Sequence, residues 1–190
     1  MTFGGSPVGR TIGPALEVRE ALTVLENKGG PNSLKEKSLS LAGILLEMGG
    51  IAGRGDGYTA AEDILTSGKA HKKLMEIIEV QGGNPQVKSE EIVVGENCED
   101  ILAPAGGYIV AFYNKRLVEL ARMAGAPSDK KAGVIIHRKM GERVKKGEPL
   151  ITICSSSSWQ LENAVKDANR QMPLVVEGML LERYPRITEL

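Results

Sequence analysis

The sequence is poor in the residues that build several common kinds of functional site. Only 4% of its 190 residues are aromatic, which argues against base stacking on single-stranded nucleic acid. Its 24 basic residues are balanced by 24 acidic ones. The chain therefore lacks the excess positive charge that marks a nucleic-acid-binding surface, and we expect no nucleic-acid partner.

The few histidines and cysteines form no recognisable metal or nucleophile motif. His71 and His137 have no neighbouring Cys or His at ligand spacing, so we expect no metal site. No Gly-x-Ser-x-Gly or Cys–His signature is present. Cys98 and Cys154 could pair, but two cysteines make no disulfide scaffold. We expect Cys154 to be a small, half-buried thiol at the end of a strand.

Long apolar runs are also missing. The longest mainly apolar stretch, Leu39–Met48, is too short to span a membrane. The N-terminus does not have the charged start and apolar run of a signal peptide. We expect a cytoplasmic protein with no membrane partner.

What the first part of the chain does contain is the hydrophobic pattern of helices. Apolar residues recur at helical spacing after Pro14, and proline suits the first position of a helix. Capping-box patterns at Ser33–Glu36 and Thr59–Glu62 predict two further helix starts. Lys69–Val80 is amphipathic and predicts a fourth helix.

A boundary follows these helices. The helix predicted over Leu39–Met48 is apolar on most faces, which indicates burial between two layers. Gln81–Pro85 then combines helix-stop and turn signals without an apolar anchor. We predict the α+β class, with a helical segment over residues 1–85 and an α+β domain over residues 86–190.

In the second part, strand and helix patterns alternate. Two strands are predicted around a tight turn at Gly106-Gly107. Asn114 is predicted to cap the helix that follows, and Ser157 with Gln160 forms a third capping box. Further segments with strand character are residues 134–139, 141–153 and 173–184.

A glycine-bearing loop before the first helix is a candidate anion site. Gly9, Arg10 and Gly13 would supply free backbone N–H groups, a guanidinium and a nearby helix start, which suit a phosphate or carboxylate. The alternative is a plain helix entrance in which Arg10 or Arg19 pairs with a carboxylate such as Glu17 or Glu20. No GxxxxGK[ST] pattern is present, so the spacing favours the helix entrance.

The segment Gly141–Ile153, GERVKKGEPLITI, resembles a half-motif of biotinyl and lipoyl carrier domains. Such carriers modify a lysine at a hairpin tip after the second half-motif. In this sequence that place is taken by a serine run, and the Lys139-Met140 pair lies before the motif. A small β-sandwich is suggested, whereas carrier chemistry is not.

Several segments in register resemble a single enzyme family. They include GSPVGRTIGPALEVREAL and SLKEKSLSLAGILLEMGGIA, and they resemble the thymidine and pyrimidine nucleoside phosphorylases, most closely the archaeal AMP phosphorylases. The matching segments are residues 5–22, 33–52, 76–87, 114–153 and 175–184. The resemblance covers nearly the whole chain. Members of the family are much longer, so it implies that this chain corresponds to their C-terminal part.

The resemblance also implies a fold. The helical segment would be a remnant of the family's large α/β lobe, and the second part would be a hammerhead-like domain with a small mixed sheet. The family's phosphate loop and catalytic segments lie upstream, and we find none of them in this sequence. We therefore expect no catalytic residue in this chain and keep Gly9, Arg10 and Gly13 as the only substrate-binding candidates.

The implied activity of the parent enzyme is phosphorolysis of AMP, or of CMP or UMP, to free base and ribose 1,5-bisphosphate. Inorganic phosphate would be the co-substrate, with no cofactor. The implied partners are the missing N-terminal part of the polypeptide, the nucleotide and further copies in a homo-oligomer. A non-enzymatic binding or assembly module with a biotinyl- or lipoyl-like fold is the alternative.

Overall fold

The computed structural model describes residues 1, 2 and 4–178, and within them it contains six α-helices and seven strands. The helices are α1 (Pro14–Leu25), α2 (Asn32–Met48), α3 (Gly57–Thr66), α4 (Lys69–Val80), α5 (Asn114–Met123) and α6 (Ser158–Arg170). The strands are β1 (Thr11–Ile12), β2 (Asn97–Leu102), β3 (Gly107–Phe112), β4 (Gly133–Ile136), β5 (Arg143–Val144), β6 (Pro149–Ser155) and β7 (Leu174–Glu177). The strand predicted at 173–184 forms over β7, and its last residues lie outside the described part.

The strands form two antiparallel sheets. One has the order β1-β4-β6-β2 and the other the order β5-β3-β7. The predicted α+β class is confirmed, but the prediction of a small mixed sheet is wrong, since every pairing among the described residues is antiparallel. β4 and β6 are joined through turns and the short β5. Such a connection reverses the chain, whereas parallel neighbours need a long crossover.

The two strands predicted around Gly106-Gly107 exist but do not pair with each other. β2 pairs with β6, while β3 pairs with β5 and β7 in the other sheet. The role of Gly107 is close approach between strands. A Cβ at this position would lie 2.4 Å from the carbonyl oxygen of Glu177, well inside van der Waals contact.

The larger of the two hydrophobic clusters combines residues of both sheets with residues of α5 and α6. The side chains of Ile101, Val134 and Ile153, from three neighbouring strands, belong to it and are almost fully buried. α6 contributes buried residues at helical spacing, among them Leu161 and Val165. This apolar stripe packs the helix against β2 and β6.

The predicted division at residue 85 stays a prediction, and one feature bears on it. β1 lies in the first part of the chain, yet it is an edge strand of the sheet formed by the second part. Thr11 pairs with Ile135 and Ile12 with Val134. The candidate loop before α1 is therefore anchored directly on the sheet.

The helical part has a much smaller core. Its cluster contains three buried residues, Leu39, Ala61 and Leu65. α2 and α3 approach closely at a pair of glycines, because a Cβ on Gly43 would lie 2.7 Å from the carbonyl carbon of Gly57. The prediction that α2 is buried between two layers is wrong for the described residues, since only one of its faces is covered.

Helix starts were predicted with mixed success. Pro14 is the first residue of α1, and Ser157 caps α6 by accepting a hydrogen bond from the backbone N–H of Gln160. Ser33 does not cap α2, because the helix begins one residue earlier, at Asn32, with Pro31 in the cap position. The Ser33 hydroxyl donates to the carbonyl oxygen of Val8 at 2.6 Å. Two other predicted caps are also wrong. α3 begins at Gly57, before the proposed box at Thr59–Glu62, and Asn114 is the first helical residue of α5, where Tyr113 holds the cap position.

The two cysteines form a disulfide between β2 and β6. Cys98 and Cys154 lie opposite each other, with their Cα atoms 4.2 Å apart. Cys154 is almost completely buried. The expectation of a half-buried free thiol is thus wrong, because strand register brings a distant partner alongside it. Disulfides are rare in cytoplasmic proteins outside hyperthermophiles, and the cytoplasmic location stays a prediction.

A buried hydrogen-bonded carboxylate ties α1 to the connection before β2. Glu26 accepts hydrogen bonds from the backbone N–H and the hydroxyl of Ser89, a buried residue, and forms an ion pair with Lys28 at 2.9 Å. Burial alone would raise the pKa of Glu26. The bonds from Ser89 and Lys28 outweigh it and lower the pKa to about 2.

We predict that Glu26→Gln lowers the free energy of unfolding by roughly 1–3 kcal/mol at pH 7, because charge-assisted hydrogen bonds to a buried group are lost. The carboxyl group has a lower pKa in the folded state, so its stabilisation is present above pH 4.5 and is lost as the pH falls toward 2. The difference between wild type and variant in urea unfolding should therefore shrink on acidification. A difference that stays constant between pH 7 and pH 3 would contradict this assignment.

Candidate functional site

The candidate loop wraps around a carboxylate supplied by the chain itself. The backbone N–H of Arg10 donates to both carboxylate oxygens of Glu20, at 2.9 and 3.1 Å, and the Thr11 hydroxyl donates to one of them at 3.2 Å. Gly9 lies close to this carboxylate, since a Cβ at its position would lie 2.1 Å from a Glu20 carboxylate oxygen. The N–H group that was predicted to meet an external anion thus meets Glu20, which lies in the second turn of α1.

Gly13 makes the entry to α1. Its N–H donates to the carboxylate of Glu17 at 3.1 Å. Its φ of +131° is a conformation that favours glycine, and a Cβ would lie 2.3 Å from the carbonyl oxygen of Ala132. Gly13 therefore permits close contact between the start of α1 and the start of β4.

The Arg10 guanidinium points to the turn after β4. It donates to the carbonyl oxygen of His137 at 2.7 Å and forms an ion pair with Glu142 at 3.0 Å. The prediction that Arg10 pairs with a carboxylate is confirmed. The carboxylate is that of Glu142, which lies 132 residues away in the sequence. Glu17 and Glu20 bind backbone N–H groups instead.

Lys139 binds the same loop from its opposite side. Its ammonium group donates to the carbonyl oxygens of Pro7, Val8 and Gly9, at distances from 2.5 to 3.2 Å. Burial lowers the pKa of Lys139, and the nearby Arg10 charge lowers it further. Glu20 thus satisfies donors of the loop while Lys139 satisfies its acceptors. We call the contacts of Glu20, Arg10 and Lys139 with this loop the loop clamp.

An open cavity of about 320 Å³ lies beside the loop clamp. Its lining includes Arg10, Lys139 and Ser33, together with the acidic Glu142. Gly9 and Gly13, the other predicted residues, contact internal groups, as described above. Binding of an external anion by Gly9, Arg10 and Gly13 stays a prediction. The contacts match the alternative of a structural helix entrance.

Sequence reasoning missed a polar network across three strands of the larger sheet. The Nε2 atom of His137 lies 2.6 Å from the Thr152 hydroxyl, which donates to the Asp100 carboxylate. Because the hydroxyl proton goes to Asp100, His137 has to donate its Nε2 proton to Thr152. Thr152 is therefore not activated as a nucleophile. Only strand register brings these residues together, so no local motif could have revealed them.

The surroundings of His137 lower the pKa of its imidazole. Burial lowers its pKa most. The Asp100 charge opposes this shift, whereas the charges of Arg138 and Arg10 add to it. A neutral imidazole with its proton on Nε2 fits the hydrogen bond to Thr152, as derived above.

Two kinds of site are absent from the described part of the chain. Residues 1, 2 and 4–178 contain no group of three or more His, Cys, Asp or Glu residues arranged to hold a metal ion. Within the same residues, none of the helices has both the length and the hydropathy of a membrane span.

Comparison with known proteins gives a consistent result. The profile of the pyrimidine nucleoside phosphorylase C-terminal domain matches residues 108–175. AMP phosphorylase of Methanothrix thermoacetophila is 72% identical over 190 residues, which cover 97% of this chain and 37% of that protein. AMP phosphorylase of Methanococcoides burtonii is 58% identical over 100% of this chain and 38% of its own length. AMP phosphorylase 1 of Archaeoglobus fulgidus is 51% identical over 98% of this chain and 36% of its own length.

These matches confirm the resemblance predicted from the sequence. The chain corresponds to the C-terminal part of archaeal AMP phosphorylases. It spans about 37% of the length of the curated relatives that it matches.

The close approach at Gly13 gives one test of the loop. We predict that Gly13→Ala lowers the free energy of unfolding by about 2–4 kcal/mol, because strain from a positive φ is combined with a backbone clash. Gly29→Ala is the matched control, since Gly29 has a φ of +109° and no atom within 4 Å of its Cβ position. The control should lose about 1 kcal/mol. Equal losses in urea unfolding would refute the close contact.

The lowered pKa of His137 gives a second test. In the unfolded chain His137 binds a proton near its ordinary pKa of 6.5, whereas in the folded protein its pKa is lower. The contribution of neutral His137 to the free energy of unfolding is therefore lost as the pH falls below about 6.5. His137→Gln keeps a donor for Thr152 but cannot titrate. Urea unfolding at pH 7.5 and 5.5 should show wild type losing stability relative to the variant at the lower pH. An unchanged difference would show that His137 titrates normally.

Proposed function

We propose that this chain is the C-terminal part of an enzyme that catalyses phosphorolysis of AMP. The observation that carries the proposal is the continuous match of 97% or more of the chain to archaeal AMP phosphorylases, at up to 72% identity. CMP and UMP are further candidate substrates of the parent enzyme.

The proposed reaction transfers the ribose 5-phosphate group from base to phosphate. An oxygen of inorganic phosphate attacks the anomeric carbon, the bond to N9 of adenine breaks, and the base leaves with a proton. The products are adenine and ribose 1,5-bisphosphate. Anionic groups near the sugar would stabilise the positive charge that develops on it, and a proton donor would protonate the leaving base. Inorganic phosphate is a co-substrate, and no cofactor is required.

We assign no catalytic residue to this chain. The proposed role of its first part is to supply helices of the large α/β lobe, and that of its second part is to form a hammerhead-like domain. The loop clamp supports a structural role for this part of the chain, because its donors and acceptors bind groups of the chain itself. It would hold the start of α1 against the turn after β4 while domain closure elsewhere brings the substrates together.

The alternative was a non-enzymatic assembly module with a biotinyl- or lipoyl-like fold. It is not favoured, because the matches to AMP phosphorylases extend over nearly the entire chain. The environment of Lys139 also argues against a carrier role. A carrier lysine has to extend freely from a hairpin tip, whereas the Lys139 ammonium is held by three backbone carbonyls.

The proposed partners are the upstream part of the same polypeptide, the nucleoside monophosphate and phosphate. We further propose that the parent enzyme is a cytoplasmic homo-oligomer that binds neither nucleic acid nor membrane. The balance of 24 basic and 24 acidic residues supports the absence of a nucleic-acid partner.

The isolated chain should have no phosphorylase activity. Supplied with AMP and inorganic phosphate, it should release no adenine, because the proposed catalytic groups lie outside it. Full-length AMP phosphorylase of Methanothrix thermoacetophila, assayed in parallel by chromatography of the released base, is the positive control. Turnover by a pure preparation of the isolated chain, sensitive to substitution within it, would contradict the assignment.

A further inference from the structure

α2 carries two apolar faces, and the described structure covers only one of them. Leu39 and Gly43 are buried against α3. On the opposite side lie Leu41, Ile44, Leu45 and Met48. These positions follow the i, i+3, i+4, i+7 spacing of a helix face that packs against another element. We call these four residues the outer face of α2.

The outer face is open to solvent. Leu45 is 67% exposed and Met48 is 79% exposed. Ile51, just after the helix, is exposed as well. A helix with apolar residues on all sides belongs in the interior of a larger protein, and a contiguous exposed apolar patch marks an interaction surface.

A groove continues from this face. It has a volume of about 530 Å³ and is lined by residues of α1, α2, α3 and α4, with Leu45 shared between the groove and the outer face. Twelve of its fourteen lining residues are Ala, Val, Ile or Leu, and the exceptions are Lys35 and Ser38. A concave, aliphatic surface of this kind fits a protruding apolar element such as an amphipathic helix.

The two parts of the chain differ in how much apolar surface they bury. The helical cluster has three buried residues, whereas the cluster around the four-stranded sheet has twenty. The sheet part can therefore bury its own apolar surface, while the helices lack a covering layer. Whatever covers them has to come from outside the described residues.

We propose that the outer face of α2 and the adjoining groove bind an apolar element from the upstream part of the parent polypeptide. This inference rests on the proposed function, in which the chain belongs to a longer enzyme. The curated relatives provide such an element in principle, since this chain spans only 37% of their length. A second copy fits less well, because two identical outer faces in contact would leave both concave grooves unfilled.

The test compares the same substitutions in a short and a long protein. The long protein is a fused protein, in which the upstream part of Methanothrix thermoacetophila AMP phosphorylase is joined to this chain. The variant Leu45→Glu/Met48→Glu places two carboxylates on the outer face. In the isolated chain both sites face water, so Tm should change by less than about 2 °C. In the long protein two unpaired carboxylates would be buried, and Tm should fall by about 10 °C.

Trp159→Glu is the matched control. Trp159 is 72% exposed and lies on α6, in the sheet part of the chain. This substitution should leave Tm unchanged in both proteins. An unchanged Tm of the long Leu45→Glu/Met48→Glu protein would overturn the proposal, and so would an equal loss caused by the control.

Two further measurements complete the test. In carbene footprinting, the segment of natural full-length Methanothrix enzyme aligned with residues 33–49 should be labelled several-fold less than the same segment of the isolated chain. Equal labelling would refute coverage even if the fused protein did not fold. A concentration-dependent dimer of the isolated chain that Leu45→Glu/Met48→Glu abolishes would identify a second copy as the occupant and overturn the proposal.

These readouts are independent of catalysis. A fused protein that loses stability as expected but does not act on AMP would refute the proposed function and leave the docking surface intact. A fused protein that acts on AMP but tolerates both carboxylates would refute the docking surface alone.

Discussion

The structure depends on the way two oppositely charged side chains hold one loop. Glu20 accepts hydrogen bonds from the Arg10 N–H and the Thr11 hydroxyl, while Lys139 donates to three carbonyls just before them. Because both sides of the backbone are satisfied, the loop can run in close contact with the sheet, where β1 pairs with β4. The loop clamp thus helps to fix α1 to the four-stranded sheet, and α4, α3 and α2 follow from α1 through successive helix contacts.

This arrangement explains why a loop with the composition of an anion site is compatible with a structural role. Its N–H groups do bind carboxylates, but these carboxylates belong to Glu17 and Glu20 in the following helix. The backbone N–H groups that could bind a phosphate therefore bind side chains of α1 and hold the start of that helix in place. In a parent enzyme of the proposed kind, a stiff connection at this point would let the sheet part and the helices move together during domain closure.

Local signals in the sequence were sufficient for some elements and insufficient for others. The bounds of α4 and the first residue of α1 follow from amphipathic spacing and from Pro14, which act within a few residues. Ser33 was misjudged because α2 begins at Asn32, which places Ser33 inside the helix, where its hydroxyl donates to the distant carbonyl oxygen of Val8. The partners of β2 and β3, the disulfide and the network of His137 with Thr152 depend on strand register, which no local pattern specifies. At the candidate site, sequence indicated a carboxylate near the loop, but only the fold shows which groups it binds.

In the proposed function, this chain completes an AMP phosphorylase whose catalytic groups lie outside it. This function is tested most directly by measuring adenine and ribose 1,5-bisphosphate formed from AMP by the fused polypeptide, with and without inorganic phosphate. The fused polypeptide should form both products in equal amounts and only when phosphate is present, and the isolated chain should form neither. Failure of a folded fused protein to form ribose 1,5-bisphosphate, or release of adenine without phosphate, would contradict the proposed function.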